Sequence, residues 1–230
     1  MPQSSDAEEH LRIIRSLMEK ATIYRAISAQ AALIGGVLAG LAGGLLAGRN
    51  DPFVKALSSS MLSANAEVYG FQLKWLVVLL LCIGVNLFFL QRDAKRRGEP
   101  FVSPGMRAAL NAMGPALFTG AVVTSLWARD FLPQMWMIFY GLAILSTGHF
   151  APKSLIRLGW AFLFTGLILA IVNGETYMGL REHLPDSNPQ EPPAWTYPDT
   201  LMARIFGGYH IIYALRTLRR APATVAPPAA

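Results

Sequence analysis

The chain of 230 residues is 53% hydrophobic and only 15% charged, against the quarter or so of charged residues usual in a water-soluble domain, so neither a disordered chain nor an ordinary soluble fold fits. A single cysteine, Cys82, excludes an intrachain disulfide and a cysteine-based zinc cluster. The net charge of +6 comes from basic residues that bracket long apolar runs instead of forming one stripe, which argues for orientation in a lipid bilayer and against a nucleic-acid partner.

The first element is a helix signal. Ser5 and Glu8 form an S-x-x-E capping box, with Asp6, Glu8 and Glu9 at the positive end of the helix dipole. Leu11, Ile14, Leu17, Met18, Ala21 and Tyr24 recur at three- and four-residue spacing, and Glu8 with Arg12 and Arg15 with Glu19 are i,i+4 pairs. Residues 1–24 are therefore expected to carry an amphipathic cytoplasmic helix. It either lies on the membrane or on the bundle's own cytoplasmic face, or offers Leu11, Ile14 and Met18 as anchors to a soluble protein. A cleavable signal peptide is disfavoured, since its leading region would be short and positive, whereas this one is long and carries acids.

A bilayer core of about 30 Å needs roughly 20 apolar residues in a helix. Six stretches meet or approach that length. Residues 26–48 carry no charge; 73–90 have Lys74 at the edge and Asn86 within; 105–127 have Arg107 near one end, then Asn111 and Pro115. Residues 131–150 and 155–173 come next, and 201–218 are interrupted by Arg204, His210 and Arg216. In lipid each backbone amide must be satisfied internally, and runs this continuous do not alternate as barrel strands do. The expected fold is all-α: a polytopic bundle of about six transmembrane helices over 25–218, with a disordered tail over 219–230. No features match between the two halves as an inverted three-plus-three repeat would require.

Basic residues resist translocation, so they orient the bundle. The richer set comprises Arg12, Arg15, Lys20 and Arg25, then Arg92, Lys95, Arg96, Arg97 and Arg107, then Lys153 and Arg157, then Arg216, Arg219 and Arg220. The poorer set holds Arg49, Lys55, Lys74, Arg129, Arg181 and Arg204. With six spans both termini are cytoplasmic, and Trp75, Trp127, Trp136 and Trp195 fall near the outer interface, where indoles are favoured. In the first outer segment, 49–72, Asn50, Asp51 and Pro52 signal a short interfacial helix lined by Phe53, Val54, Leu57 and Met61. The second, 174–200, is acidic and proline-rich and reads as a solvated connector or a ligand loop.

Within the spans, Gly36, Gly40, Gly44 and Gly48 form a four-residue ridge of small residues, the signature of a close helix contact, either inside the bundle or as a homodimer seam through the first span. Asn86, Asn111, Arg204 and His210 are the candidate polar intramembrane site, because such groups face a partner or a cavity. Arg204 snorkels outward or pairs with Asp199. His149 and His210 differ in depth by about 13 Å under this assignment, which disfavours paired haem ligation, and no cofactor is expected. The chain contains no HExxH, G-x-S-x-G, P-loop or G-x-G-x-x-G, so an enzyme is unsupported.

Four segments carry a resemblance: IRSLMEKATIYRAIS (14–28), FYGLAIL (139–145), IRLGWAFLFTG (156–166) and FGGYHIIYAL (206–215). Together they resemble a group of uncharacterised bacterial six-helix membrane proteins, often encoded beside small winged-helix transcription regulators. The pattern runs through Arg15, Met18, Tyr24, Tyr140, Gly141, Arg157, Gly159, His210 and Tyr213. The resemblance implies the bacterial cytoplasmic membrane and no particular activity. The expected function is a non-catalytic accessory or signal-relay role through the cytoplasmic face, with a small-solute transporter or channel, oligomeric, as the alternative.

The topology is tested with S187C and R96C, each introduced singly into a background lacking Cys82. An impermeant thiol reagent applied outside should label the first and not the second; labelling of both from one side contradicts six spans.

Overall fold

The computed structural model describes residues 8–14, 29–45, 66–98, 100–102, 104–126, 131–149, 151–177 and 198–219. Every regular element among them is helical. Residues 8–14 form α1; α2 is Ala29–Leu45, α3 Ala66–Arg97, α4 Pro104–Leu126, α5 Leu132–Ser146 and α6 Lys153–Tyr177. The final rod consists of α7, Pro198–Met202, a π-helical turn over Ala203–Gly207, and α8, Gly208–Leu218. Residues at both junctions of the π turn keep right-handed helical dihedrals, so the rod is continuous.

Among the described residues three helices are long and apolar enough to cross a membrane: Tyr69–Arg96, Met106–Leu126 and Lys153–Val172. Ala29–Gly44 and Leu132–Ser146 are apolar but shorter. The surface shows why lipid, not water, suits this molecule. Phe118 is 72% exposed and Ile171 62%, whereas Lys74 and Gln134 are each 1% exposed. A water-soluble bundle has the reverse arrangement.

Element boundaries depart from the hydropathy reading in a consistent way. With 32 residues, α3 is about 48 Å long, so helix occupies both the end of the expected outer segment, 66–72, and the first half of the expected 91–104 link, 91–97. Helix α6 likewise continues through 174–177, and the last rod begins at Pro198, so the connector expected over 174–200 is helical at both edges. Hydropathy marks where lipid ends, whereas a helix ends where its backbone finds a cap. Gly98 supplies one at the end of α3, with φ +65° and its amide donating to the Lys95 carbonyl. Pro133 starts α5, and Thr147 closes it, hydroxyl to the Ile144 carbonyl at 2.6 Å. The turn continues with Ala151 donating to the Thr147 carbonyl, and Pro152 accepts from Leu155 and Ile156 to start α6.

The helices form two groups. The α5–α6 pair is the most extensive, with α4 packed on α5; α2 packs on the final rod and on α3. Backbones approach closely where glycines permit it. A Cβ at Gly141 would strike the Leu163 amide and the Gly159 carbonyl, and one at Gly166 would strike Ile138 and the Gln134 carbonyl, so α5 and α6 run antiparallel in near-backbone contact. Gly36 faces Gly207 and Ile211, and Gly43 faces Asp199 and Ala203, which makes α2 antiparallel to the final rod. Between the two groups backbone contacts are sparse, and large side chains fill the space.

Within the chain the expected glycine ridge divides. Gly36 lies in the contact, and the Gly40 amide and Cα abut Gly207, but a Cβ on Gly40 or Gly44 would meet open space. The buried line is Gly36, Ala39 and Gly43 instead. At 100° per residue, a four-residue step drifts by about 40° and places Gly44 some 80° from Gly36, whereas the seven-residue step to Gly43 drifts only about 20°. Gly48 lies outside the described residues, as do Ser5, Met18, Tyr24, the 49–65 part of the first outer segment, Trp127, Trp195 and the 220–230 tail.

Gly43→Leu should lower thermal stability in detergent by about 1–3 kcal/mol through overpacking, whereas Gly44→Ala should leave it unchanged or raise it by about 0.5–1 kcal/mol through helix propensity. Equal effects of the two substitutions would contradict this packing.

Candidate functional site

The charged interior begins where α3 meets α7. Lys74 Nζ lies 2.7 Å from Asp199 Oδ1, and Trp75 Nε1 donates to the same oxygen at 2.9 Å. Asp199 stands in the first turn of α7, where the helix dipole favours a carboxylate. Around the pair, Phe71 stacks on Trp136 with centroids 5.5 Å apart, and Leu132, Leu201 and Met202 are buried. Trp75, expected at the outer interface, thus bonds one member of an ion pair. Leaving either charge alone would cost several kcal/mol in a dry interior.

The second polar cluster joins the two helix groups. His210 Nδ1 lies 2.7 Å from the Phe206 carbonyl, and Nε2 lies 2.9 Å from the Tyr140 hydroxyl. A carbonyl only accepts, so Nδ1 carries a hydrogen towards Phe206, and Nε2 shares the second bond with the Tyr140 hydroxyl. Beside this pair Thr165 and Tyr209 share a hydrogen bond of 2.8 Å. Phe162, fully buried, packs against Tyr140, Phe206, Tyr209 and His210, with centroids 4.7–5.5 Å away. Phe206 belongs to the π turn. Such turns widen a helix by one residue and rotate the side chains beyond them about the axis.

The four residues expected to share a polar intramembrane site do not converge. His210 alone joins this interior cluster. Asn86 is half-buried on α3, while Asn111 on α4 and Arg204 in the π turn are exposed. Arg204 does not pair with Asp199, which is held by Lys74 and Trp75. The two lie five residues apart, or roughly 140° around an α-helix, so they face different neighbours. His149 sits exposed after α5, far in sequence and environment from His210, both of whose ring nitrogens are engaged. Among the described residues no three His, Cys, Asp or Glu side chains come together as metal ligands. Hydroxyls elsewhere turn onto their own helices: Thr124 donates to the Gly120 carbonyl, Ser146 to Ala143 and Thr217 to Tyr213.

Of the anchors expected on the N-terminal helix, Leu11 is 66% and Ile14 52% exposed; Met18 lies outside the described residues. Lys74, Trp75, Asp199 and Tyr140 are the site residues that hydropathy reasoning missed. Under alternating spans Lys74 and Asp199 stand at the same end of their helices with opposite charges, and that depth match was the available signal. No known protein family, characterised protein or solved structure matches the chain.

Asp199→Asn should destabilise the bundle by about 3 kcal/mol, by stranding the buried Lys74 charge, and Lys74→Met combined with Asp199→Leu should recover most of that loss. Thermal melts in one detergent decide it; an additive double variant would show that the two charges are independent.

Proposed function

We propose that the protein is a six-span component of the bacterial cytoplasmic membrane, with both termini cytoplasmic, acting as a non-catalytic accessory or signal-relay protein through its cytoplasmic face. The carrying observation is a contrast in exposure. The interior charges and the histidine are held by partners within the bundle, whereas α1 leaves Leu11, Ile13 and Ile14 at least half exposed. An apolar helical stripe in that state suits a helix-in-groove contact with a cytosolic protein. Arg92, Lys95 and Arg96, exposed on the last turns of α3, belong to the same cytoplasmic surface in this topology.

The six-span count is supported by two antiparallel pairs, α5 with α6 and α2 with the final rod, each of which alternating spans require. Besides the three long apolar helices, α2 and α5 are apolar, at about 26 and 22 Å, and the final rod spans 198–218, about 31 Å. Spans shorter than the hydrocarbon are accommodated by local thinning or by packing against longer neighbours.

A second reading, a small-solute transporter or channel, is favoured by one observation: the π turn lies between Asp199 and His210 on the rod that bridges both helix groups. Buried ionisable groups beside a helix irregularity are characteristic of translocation pathways.

One pair of experiments separates the readings. Replacing Leu11, Ile14 and Met18 by serine should abolish recovery of a cytosolic protein partner with the tagged membrane protein while insertion is unaffected. Solute counterflow in proteoliposomes that persists in this triple variant and is lost in His210→Ala would instead establish the transporter.

A further inference from the structure

Helix α4 carries a polar pair, Arg107 and Asn111, that has no side-chain partner among the described residues. Among the described helices it packs on α5 and on no other to a comparable extent. Arg107 and Asn111 are both exposed on it, and so are Leu110 at 58%, Leu117 at 45% and Phe118 at 72%. Arg107, Asn111 and Phe118 fall within about 40° of one another around the helix axis, on one face. Pro115 lies within α4 and has no amide hydrogen, so the Asn111 carbonyl four residues earlier receives no helical bond. An exposed guanidinium, a carboxamide and a spare carbonyl therefore share a face with a bare apolar side chain. A polar group left unpaired against hydrocarbon is costly.

We infer that this face of α4 binds an anionic phospholipid, with Arg107 on the phosphate, Asn111 on the glycerol and ester groups, and the acyl chains along Phe118. Depth supports this order. At 1.5 Å per residue Asn111 lies about 6 Å beyond Arg107 and Phe118 about 17 Å beyond it, while the headgroup layer on each side of the hydrocarbon is about 5–8 Å thick. Arg107 at the phosphate level thus places Asn111 at the ester level and Phe118 among the chains.

Charge selects the headgroup. Arg92, Lys95 and Arg96 are exposed at the end of α3, with Asp93 half-buried among them, and Arg107 follows ten residues after the end of that helix in the chain. Clustered basic residues beside a span favour an anionic over a zwitterionic lipid. The inference rests on the proposed topology only for its leaflet, the cytoplasmic one; selectivity in detergent does not depend on orientation, so the two can fail separately.

The test is native mass spectrometry of the full chain in detergent, titrated with phosphatidylglycerol or with phosphatidylcholine of the same acyl chains. The wild type should retain phosphatidylglycerol preferentially. Arg107→Gln should reduce that preference about fivefold, the effect of one basic group near the surface, and Arg107→Lys should keep most of it. Asn111→Leu should weaken retention of both lipids, and glycerol 3-phosphate, which lacks chains, should neither bind nor raise the melting temperature. Equal retention of both lipids by the wild type, or an undiminished preference in Arg107→Gln, would overturn the proposal. So would a dimer that Asn111→Leu dissociates, which would assign this face to a second copy of the chain.

Discussion

Burying two opposite charges is favourable only while both stay within hydrogen-bonding distance, because each alone faces a desolvation penalty of several kcal/mol. Lys74 and Asp199 meet that condition at 2.7 Å, and Trp75 donates a second bond to the same oxygen. The constraint reaches beyond the pair. It sets the height of α3 against the final rod, and the stacking of Phe71 on Trp136 carries that register to α5. Apolar contacts alone discriminate weakly between heights in lipid, since a leucine is equally well solvated by lipid tails and by another helix. A polar contact that must be made at one depth supplies the missing specificity.

Close packing does the rest. Without a hydrophobic drive between helices, attraction in a membrane comes from dispersion contacts and hydrogen bonds. Gly36, Gly43 and Gly207 bring α2 against the final rod, and Gly141, Gly159 and Gly166 bring α5 against α6. Each pair becomes a rigid unit. The units then meet through bulk instead of backbone: Phe162, Tyr140, Phe206, Tyr209 and His210 fill the wider gap, pinned by the Tyr140–His210 and Thr165–Tyr209 bonds. A seam held by side chains yields more readily than one held by backbone contact, and the π turn lies on it.

Polar groups inside the bundle and those outside it have different physical standing. Lys74, Asp199 and His210 are satisfied by neighbours from other parts of the chain, so they hold architecture. Leu11 and Ile14 on α1, and Arg107 and Asn111 on α4, are left to whatever surrounds the bundle. Gln134 is the exception inside: it is 1% exposed and its Oε1 has no hydrogen-bond partner among the described residues.

The membrane-suited character, the helical class and the approximate position of each apolar run were legible in composition and hydropathy, because a helix in lipid satisfies its backbone locally; the helix ends, set by caps, were not. The small-residue character of α2 was legible too, but not its contact line: a four-residue ridge drifts around the axis, and the position of the partner selects Gly43 over Gly44. Arg204 and Asp199 lie near each other in the chain yet face apart, whereas Asp199 reaches Lys74 and Trp75 from a distant helix, and Tyr140 finds His210 across 70 residues. By itself the sequence determined which segments are apolar enough to suit lipid, since that depends on each segment's own transfer energy. Only the tertiary structure decided which charges, rings and glycines meet, since a pairing depends on the relative height and rotation of two helices, and neither quantity is written in either helix alone.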